Sequence, residues 1–125
     1  MTDFDAAAFI DRFNRVWDAH DVDGIADMFT DDVIFEASFG TKPYGARAVG
    51  RDAAKTLAAA VFEQVPDLHF AEIRRAVTPG FIVVESTTTG TPVGGKPYEA
   101  HIVDLLTLRD GKIAAKRSYR KARLS

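Results

Sequence analysis

Residues 98–119 constrain the fold more than any other stretch: YEAHIVDLLTL, then RDG, then KIAAKRSY. Two apolar segments of strand length flank a glycine-containing turn, the pattern of a β-hairpin. The first segment, Ile102-Val103-Asp104-Leu105-Leu106, is interrupted by a single acid. A carboxylate among aliphatic residues is costly to bury unless it is paired, hydrogen-bonded or put to chemical use. The turn sets its neighbour. A two-residue Asp110-Gly111 turn pairs Arg109 with Lys112 and puts Asp104 opposite Arg117. A three-residue Arg109-Asp110-Gly111 loop puts it opposite Lys116, with Ser118 diagonal to it. Both registers stay open, and each brings a cation to the acid, so a structural ion pair and a catalytic carboxylate are equally admissible.

The order of the other elements sets the class. Ala6, Phe9, Ile10, Phe13, Val16 and Trp17 recur at helical spacing within Phe4 to His20, with Phe13 and Trp17 on one face. Asp21 is placed to cap a short second helix from Val22 to Phe29. Thr30-Asp31-Asp32 then breaks the helical pattern, and Val33 to Phe39 reads as a strand buried on both faces. Gly40 to Gly50, with three glycines and Pro43, reads as a loop whose one aromatic, Tyr44, either closes over a ligand or props the loop on the surface. Arg51 to Val65 is a third helix, stopped by Pro66, with a narrow alanine-rich stripe that suits close packing on a sheet. Strands follow at Leu68 to Val77 and Phe81 to Thr89. Strands succeeding helices rather than alternating with them predict an α+β domain with a curved, mostly antiparallel sheet. At 125 residues the chain reads as one domain, residues 1–125, able to bury roughly two-thirds of its unfolded surface.

Several function classes are disfavoured. Nine Asp against two Arg in residues 1–32 and seven Lys or Arg against one Asp in residues 109–125 polarise the chain. The basic end lies mostly on or beyond a strand, without interleaved stacking aromatics, so a solvated strand is expected rather than a nucleic-acid surface. No segment has the length and apolarity of a membrane span, and no basic-then-apolar leader opens the chain, so a cytosolic protein is expected. There is no cysteine, hence no disulfide or thiolate chemistry. His20, His69 and His101 lack the short spacings that let imidazoles share a metal, and no phosphate-binding glycine loop or GxSxG elbow is present, so neither metal nor cofactor is expected. A curved sheet closed by helices leaves an apolar pocket between Phe13, Trp17, Phe35 and inward strand residues, unless those aromatics fill it as core.

The element order, with AHDVDGIADMFTDDVIFEA, GRDAAKTLAAAVFEQVPDLHF and VDLLTLRDGKIAAKRSY, resembles the SnoaL-like branch of the nuclear transport factor 2-like superfamily, from about Phe9 to Tyr119. The resemblance implies a cone of three helices on a bent sheet, commonly dimeric through the sheet's outer face. Polyketide cyclases, ketosteroid isomerases, epoxide hydrolases, dehydratases and purely binding proteins share that fold. Positions that carry tyrosine, general-base aspartate and oxyanion-holding aspartate in ketosteroid isomerases correspond here to Phe13, Ala37 and Asp104. The last-strand aspartate of SnoaL-type cyclases corresponds to Ser118, and the Arg and Asp of the epoxide hydrolases correspond to Ser86 and Thr88. The same correspondence points Ser118 inward, with Lys116 and Arg120 by alternation, which favours the three-residue turn. What remains is a small protein for a hydrophobic, carbonyl-bearing molecule. Asp104 is its candidate base and Lys116 the candidate cation beside it. Phe13, Trp17, Phe35, Ala37, Tyr44, Ser86, Thr88 and Ser118 are candidate ligand contacts. The alternative is a non-catalytic binding or dimerisation module.

Overall fold

A computed structural model describes residues 4–124. Helix α1, Ala6–Asp18, is capped by Asp5, whose carboxylate accepts from the Ala8 N–H at 3.0 Å, and its buried side is the expected stripe of Ile10, Phe13, Val16 and Trp17. Asp21 caps α2, Val22–Asp27, in the same way through the Gly24 N–H. The strands are β1 (Phe29–Glu36), β2 (Arg47–Val49), β3 (His69–Thr78), β4 (Phe81–Gly90), β5 (Tyr98–Arg109) and β6 (Lys112–Arg120), and α3 (Arg51–Gln64) lies between β2 and β3. They form one sheet in the order β2-β1-β6-β5-β4-β3, antiparallel throughout except for the parallel β1–β6 pair.

Two expectations from sequence are corrected here. Strand β1 spans Phe29–Glu36 rather than Val33 to Phe39; Thr30-Asp31-Asp32, which ends the helical pattern, joins the strand because both acids are exposed and paired there, Asp31 with Arg51 and Asp32 with Arg109. The Arg109 guanidinium also holds the Asp32 carboxyl below the usual carboxylate range. The Gly40 to Gly50 segment is not wholly loop: Arg47–Val49 adds an edge strand to β1.

The β5–β6 hairpin departs from both registers inferred from sequence. Asp110 and Gly111 have φ of 53° and 74°, the doubly left-handed pair of a two-residue primed turn, and Arg109 pairs with Lys112. The ladder then shifts at Ala114, where β6 carries one extra residue between Ile113 and Ala115. Beyond this bulge Asp104 stands opposite Ser118, not Arg117 or Lys116. A second shift at Ile73 interrupts β3. Such bulges bend their strands and increase local twist, which suits a sheet that wraps its inner face around a hollow.

Along β4, β5 and β6 the inner face is built from Ile82, Val84, Ser86 and Thr88, from Ala100, Ile102, Asp104 and Leu106, and from Lys116 and Ser118, all buried. Helix α1 lays Phe13 and Trp17 over this face, and α3 contributes Ala54, Ala58 and Phe62. The segment after β1 is held by the bonds Ala37 N–H to Ala46 C=O and Ala46 N–H to Phe39 C=O, with Gly45 at φ 77° between them. A Cβ at Gly45 would meet the Ala37 carbonyl oxygen well inside van der Waals contact. Gly45→Ala is therefore expected to cost about 1–3 kcal/mol, read as a lowered Tm, since backbone strain and a backbone clash add at one position. An unchanged Tm would mean that the segment is free to rearrange.

Candidate functional site

Between α1, α3 and the concave sheet lies a cavity of about 330 Å³ with a mostly apolar wall. Phe13 and Trp17 of α1, Phe35 of β1, Val61 and Val65 near the end of α3, and Phe70 of β3 supply its apolar surface. The aromatic groups pack against one another rather than filling the space. The Trp17 ring meets Phe35 edge-on at 5.7 Å, Phe62 at 5.6 Å and Phe70 at 6.3 Å between centroids. Alternate inner positions of three adjacent strands bring polar groups to it: Ser86 and Thr88, Asp104, then Lys116 and Ser118.

Asp104 and Lys116 both have side chains less than a tenth exposed. The Ser118 hydroxyl donates to Asp104 Oδ1 at 2.6 Å and accepts from Lys116 Nζ at 2.7 Å; Nζ also reaches the same Oδ1 at 3.3 Å. The bulge at Ala114 makes this cluster. It slides β6 so that Ser118, rather than a long cation, stands directly across from the acid, while Lys116 approaches from the diagonal. Above the ammonium lie the faces of Trp17 and Phe35, with centroids 4.5 Å and 4.8 Å from Nζ. Arg117, the other cation left open by sequence, points away and contacts Glu36 at 3.3 Å.

Both bonds to Asp104 fall on Oδ1, and among the described residues Oδ2 has no hydrogen bond. The Ser86 and Thr88 hydroxyls line the same cavity and form no side-chain hydrogen bond with the described residues. The Trp17 indole N–H is buried and has no acceptor among the described residues. An apolar chamber thus presents the free carboxylate oxygen of Asp104 and the Ser86 and Thr88 hydroxyls, with Asn14, Ser38, Gln64, Tyr98 and Arg120 also at its wall.

Most of the residues singled out from sequence meet here: Phe13, Trp17, Phe35, Ala37, Ser86, Thr88, Asp104, Lys116 and Ser118 all line the cavity. Tyr44 does not. Its ring lies under the Arg47 guanidinium, 3.6 Å from centroid to carbon, and borders a neighbouring groove instead. Ser118 lines the cavity with its hydroxyl bonded to Asp104 and Lys116. Sequence reasoning overlooked Glu36, buried at the end of β1 and held by Arg47 at 2.7 Å and by Arg117. It also left Arg120 without a role, although alternation on β6 already pointed it inward.

Residues 10–116 match the sequence model of the SnoaL-like domain. The chain belongs to the SnoaL-like family. Solved structures agree on the fold. A protein of ketosteroid isomerase-like fold from Catenulispora acidiphila, crystallised in complex with trimethylamine, is 16% identical with a TM-score of 0.78, covering 89% of this chain and 83% of that one. A candidate SnoaL-like polyketide cyclase from Jannaschia sp. CCS1 is 20% identical with a TM-score of 0.76, covering 97% and 92%. TerC, co-crystallised with polyporic acid, is 20% identical with a TM-score of 0.78, covering 92% and 90%. At such identities the likeness is one of fold. Among proteins of curated function, none matches the chain in sequence. The α+β class read from the element order, and the cone that the resemblance implied, are thus the SnoaL-like, nuclear transport factor 2-like architecture. No helix of this SnoaL-like chain among the described residues is long and apolar enough to cross a membrane.

Proposed function

We propose that the chain binds a small hydrophobic molecule bearing a carbonyl group and moves a proton on it, as an isomerase, cyclase or dehydratase would. The observation that carries this reading is the placement of Asp104: a carboxylate at the wall of an apolar cavity, tethered through Oδ1 and open at Oδ2. In the proposed step Oδ2 takes a proton from the carbon next to the carbonyl. The C–H electron pair becomes the enolate double bond, and the carbonyl oxygen takes the negative charge. Lys116 is the cation that faces that charge, and Ser86 and Thr88 orient the molecule. Return of the proton to another carbon completes an isomerisation.

The test requires no knowledge of the substrate. Ketones such as 1-tetralone and 1-decalone exchange the hydrogens next to their carbonyl in deuterated water, and NMR follows the rate. The protein is expected to accelerate that exchange, and Asp104→Asn to lower the acceleration by about a hundredfold or more. Ketones that bind without exchanging would favour the second reading, a non-catalytic binding module. Its supporting observation is that Lys116 and Ser118 already satisfy Asp104 inside the protein.

The same proposal includes a homodimer formed through the outer face of the sheet. There Val83 pairs with Leu105, and Val103 with Tyr119, and Phe81 and Tyr119 are exposed. Leu105→Glu places a charge in the middle of that face and is expected to yield monomers by analytical ultracentrifugation, whereas a wild-type monomer would sink the dimer.

A further inference from the structure

The apolar cavity does not end at a plain surface. Ala37, Ser38, Phe39, Ser118 and Arg120 line it and also line a second hollow, a groove of about 510 Å³ over β2 and the segment after β1. The two spaces therefore share a wall. Their characters are opposite: the groove is bordered by four cations, Lys42, Arg47, Arg117 and Arg120, against the single carboxylate of Glu36. Glu36 is occupied by Arg47 and Arg117. Among the described residues neither Arg120 nor Lys42 forms an ion pair.

The register of the sheet places these groups along one line. Asp104 faces Ser118 across the β5–β6 ladder, and the next inward rung pairs Ile102 with Arg120, beside Ser86 on β4. The step between inward rungs is one pleat repeat, about 7 Å. Arg120 is thus one inward rung along β6 from Ser118, with its guanidinium carbon 5.0 Å from the Tyr98 ring centroid at the cavity wall. Stacking on a ring holds a guanidinium while leaving its in-plane N–H donors free for an oxyanion.

We infer that the molecule held in the cavity is an amphiphile: its apolar body occupies the chamber, and an anionic group such as a carboxylate, a few bonds away, crosses the shared wall to Arg120. This inference rests on the cavity-binding part of the proposed function and adds the charge of the ligand. A neutral ligand would leave the free guanidinium without use, whereas an anion there offsets part of the excess positive charge of the groove. Lys42 and the other groove cations add long-range attraction for the same charge.

Isothermal titration calorimetry with a matched pair, 4-(2-naphthyl)butanoate and 4-(2-naphthyl)butanol, separates the two parts. At low ionic strength the acid is expected to bind about tenfold more tightly than the alcohol, the scale of a charge-assisted contact at a partly open site. In Arg120→Gln that preference should fall to about threefold or less, and in the wild type roughly 0.5 M NaCl should compress it likewise, a readout that does not depend on the variant folding. Equal binding of acid and alcohol overturns the anionic ligand and leaves the cavity reading standing. An acid preference that persists undiminished in Arg120→Gln overturns the assignment to Arg120. Binding of neither compound removes the cavity reading and this inference together.

Discussion

Asp104→Leu is expected to lower the free energy of unfolding by about 3 kcal/mol, measured by urea denaturation at neutral pH, because it strands the Lys116 ammonium in a buried site. The side chains of both partners are less than a tenth exposed, and among the described residues Asp104 is the one carboxylate within ion-pair distance of Lys116. Larger losses are known for broken buried pairs. The cavity beside Nζ and the faces of Trp17 and Phe35 offer the cation partial compensation, which keeps the expected loss at the lower end. The second substitution makes the prediction sharp. Lys116→Met in the Asp104→Leu background removes the stranded charge and leaves a flexible apolar chain under the same two rings, so the double variant should return to within about 1 kcal/mol of wild type. Two single losses that merely add in the double variant would show that the residues do not act as a pair.

Phe29→Ala is expected to cost about 3–5 kcal/mol, and Phe13→Ala less by at least about 1 kcal/mol, because the two rings differ in what surrounds them. Phe29 opens β1, is fully buried, packs against the Phe35 ring at 6.2 Å and lies away from the cavity. Its removal opens a new void in close-packed surroundings that relax only partly. Phe13 already has the cavity on one side, so truncation there enlarges an existing space and forfeits fewer contacts. Paired denaturation curves check the order. Equal costs, or the reverse order, would mean that the space beside Phe13 is filled, and the proposed chemistry would lose its chamber.

Much of the site was readable from residue types and local periods. The stripe of α1 named Phe13 and Trp17, because the helix period follows from backbone geometry alone, and the acid interrupting an apolar strand named Asp104, whereas Ser86, Thr88 and Ser118 came from the family resemblance. What misled the reading was a single inserted residue. The Ala114 bulge leaves no clear mark in the sequence KIAAKRSY, yet it moved every partner of Asp104 by one position. Glu36 escaped notice for a related reason. Its burial depends on Arg47 and Arg117, which arrive from an edge strand inside a glycine-rich loop and from the far side of the parallel pair. Tyr44 was drawn toward the ligand as the one aromatic of its loop, but Arg47 holds it in the groove.

The amino-acid sequence by itself determined the helices, the strands, the α+β class and the presence of one acid on the inner face of a hairpin, since propensity, capping and side-chain period are local properties. Only the tertiary structure decided that the space under α1 stays open, that Ser118 and Lys116 share one oxygen of Asp104, and that Arg120 stands where an apolar chamber meets a basic groove. Those facts depend on bulge positions and on contacts between residues distant along the chain, and no local pattern encodes a sum over such contacts.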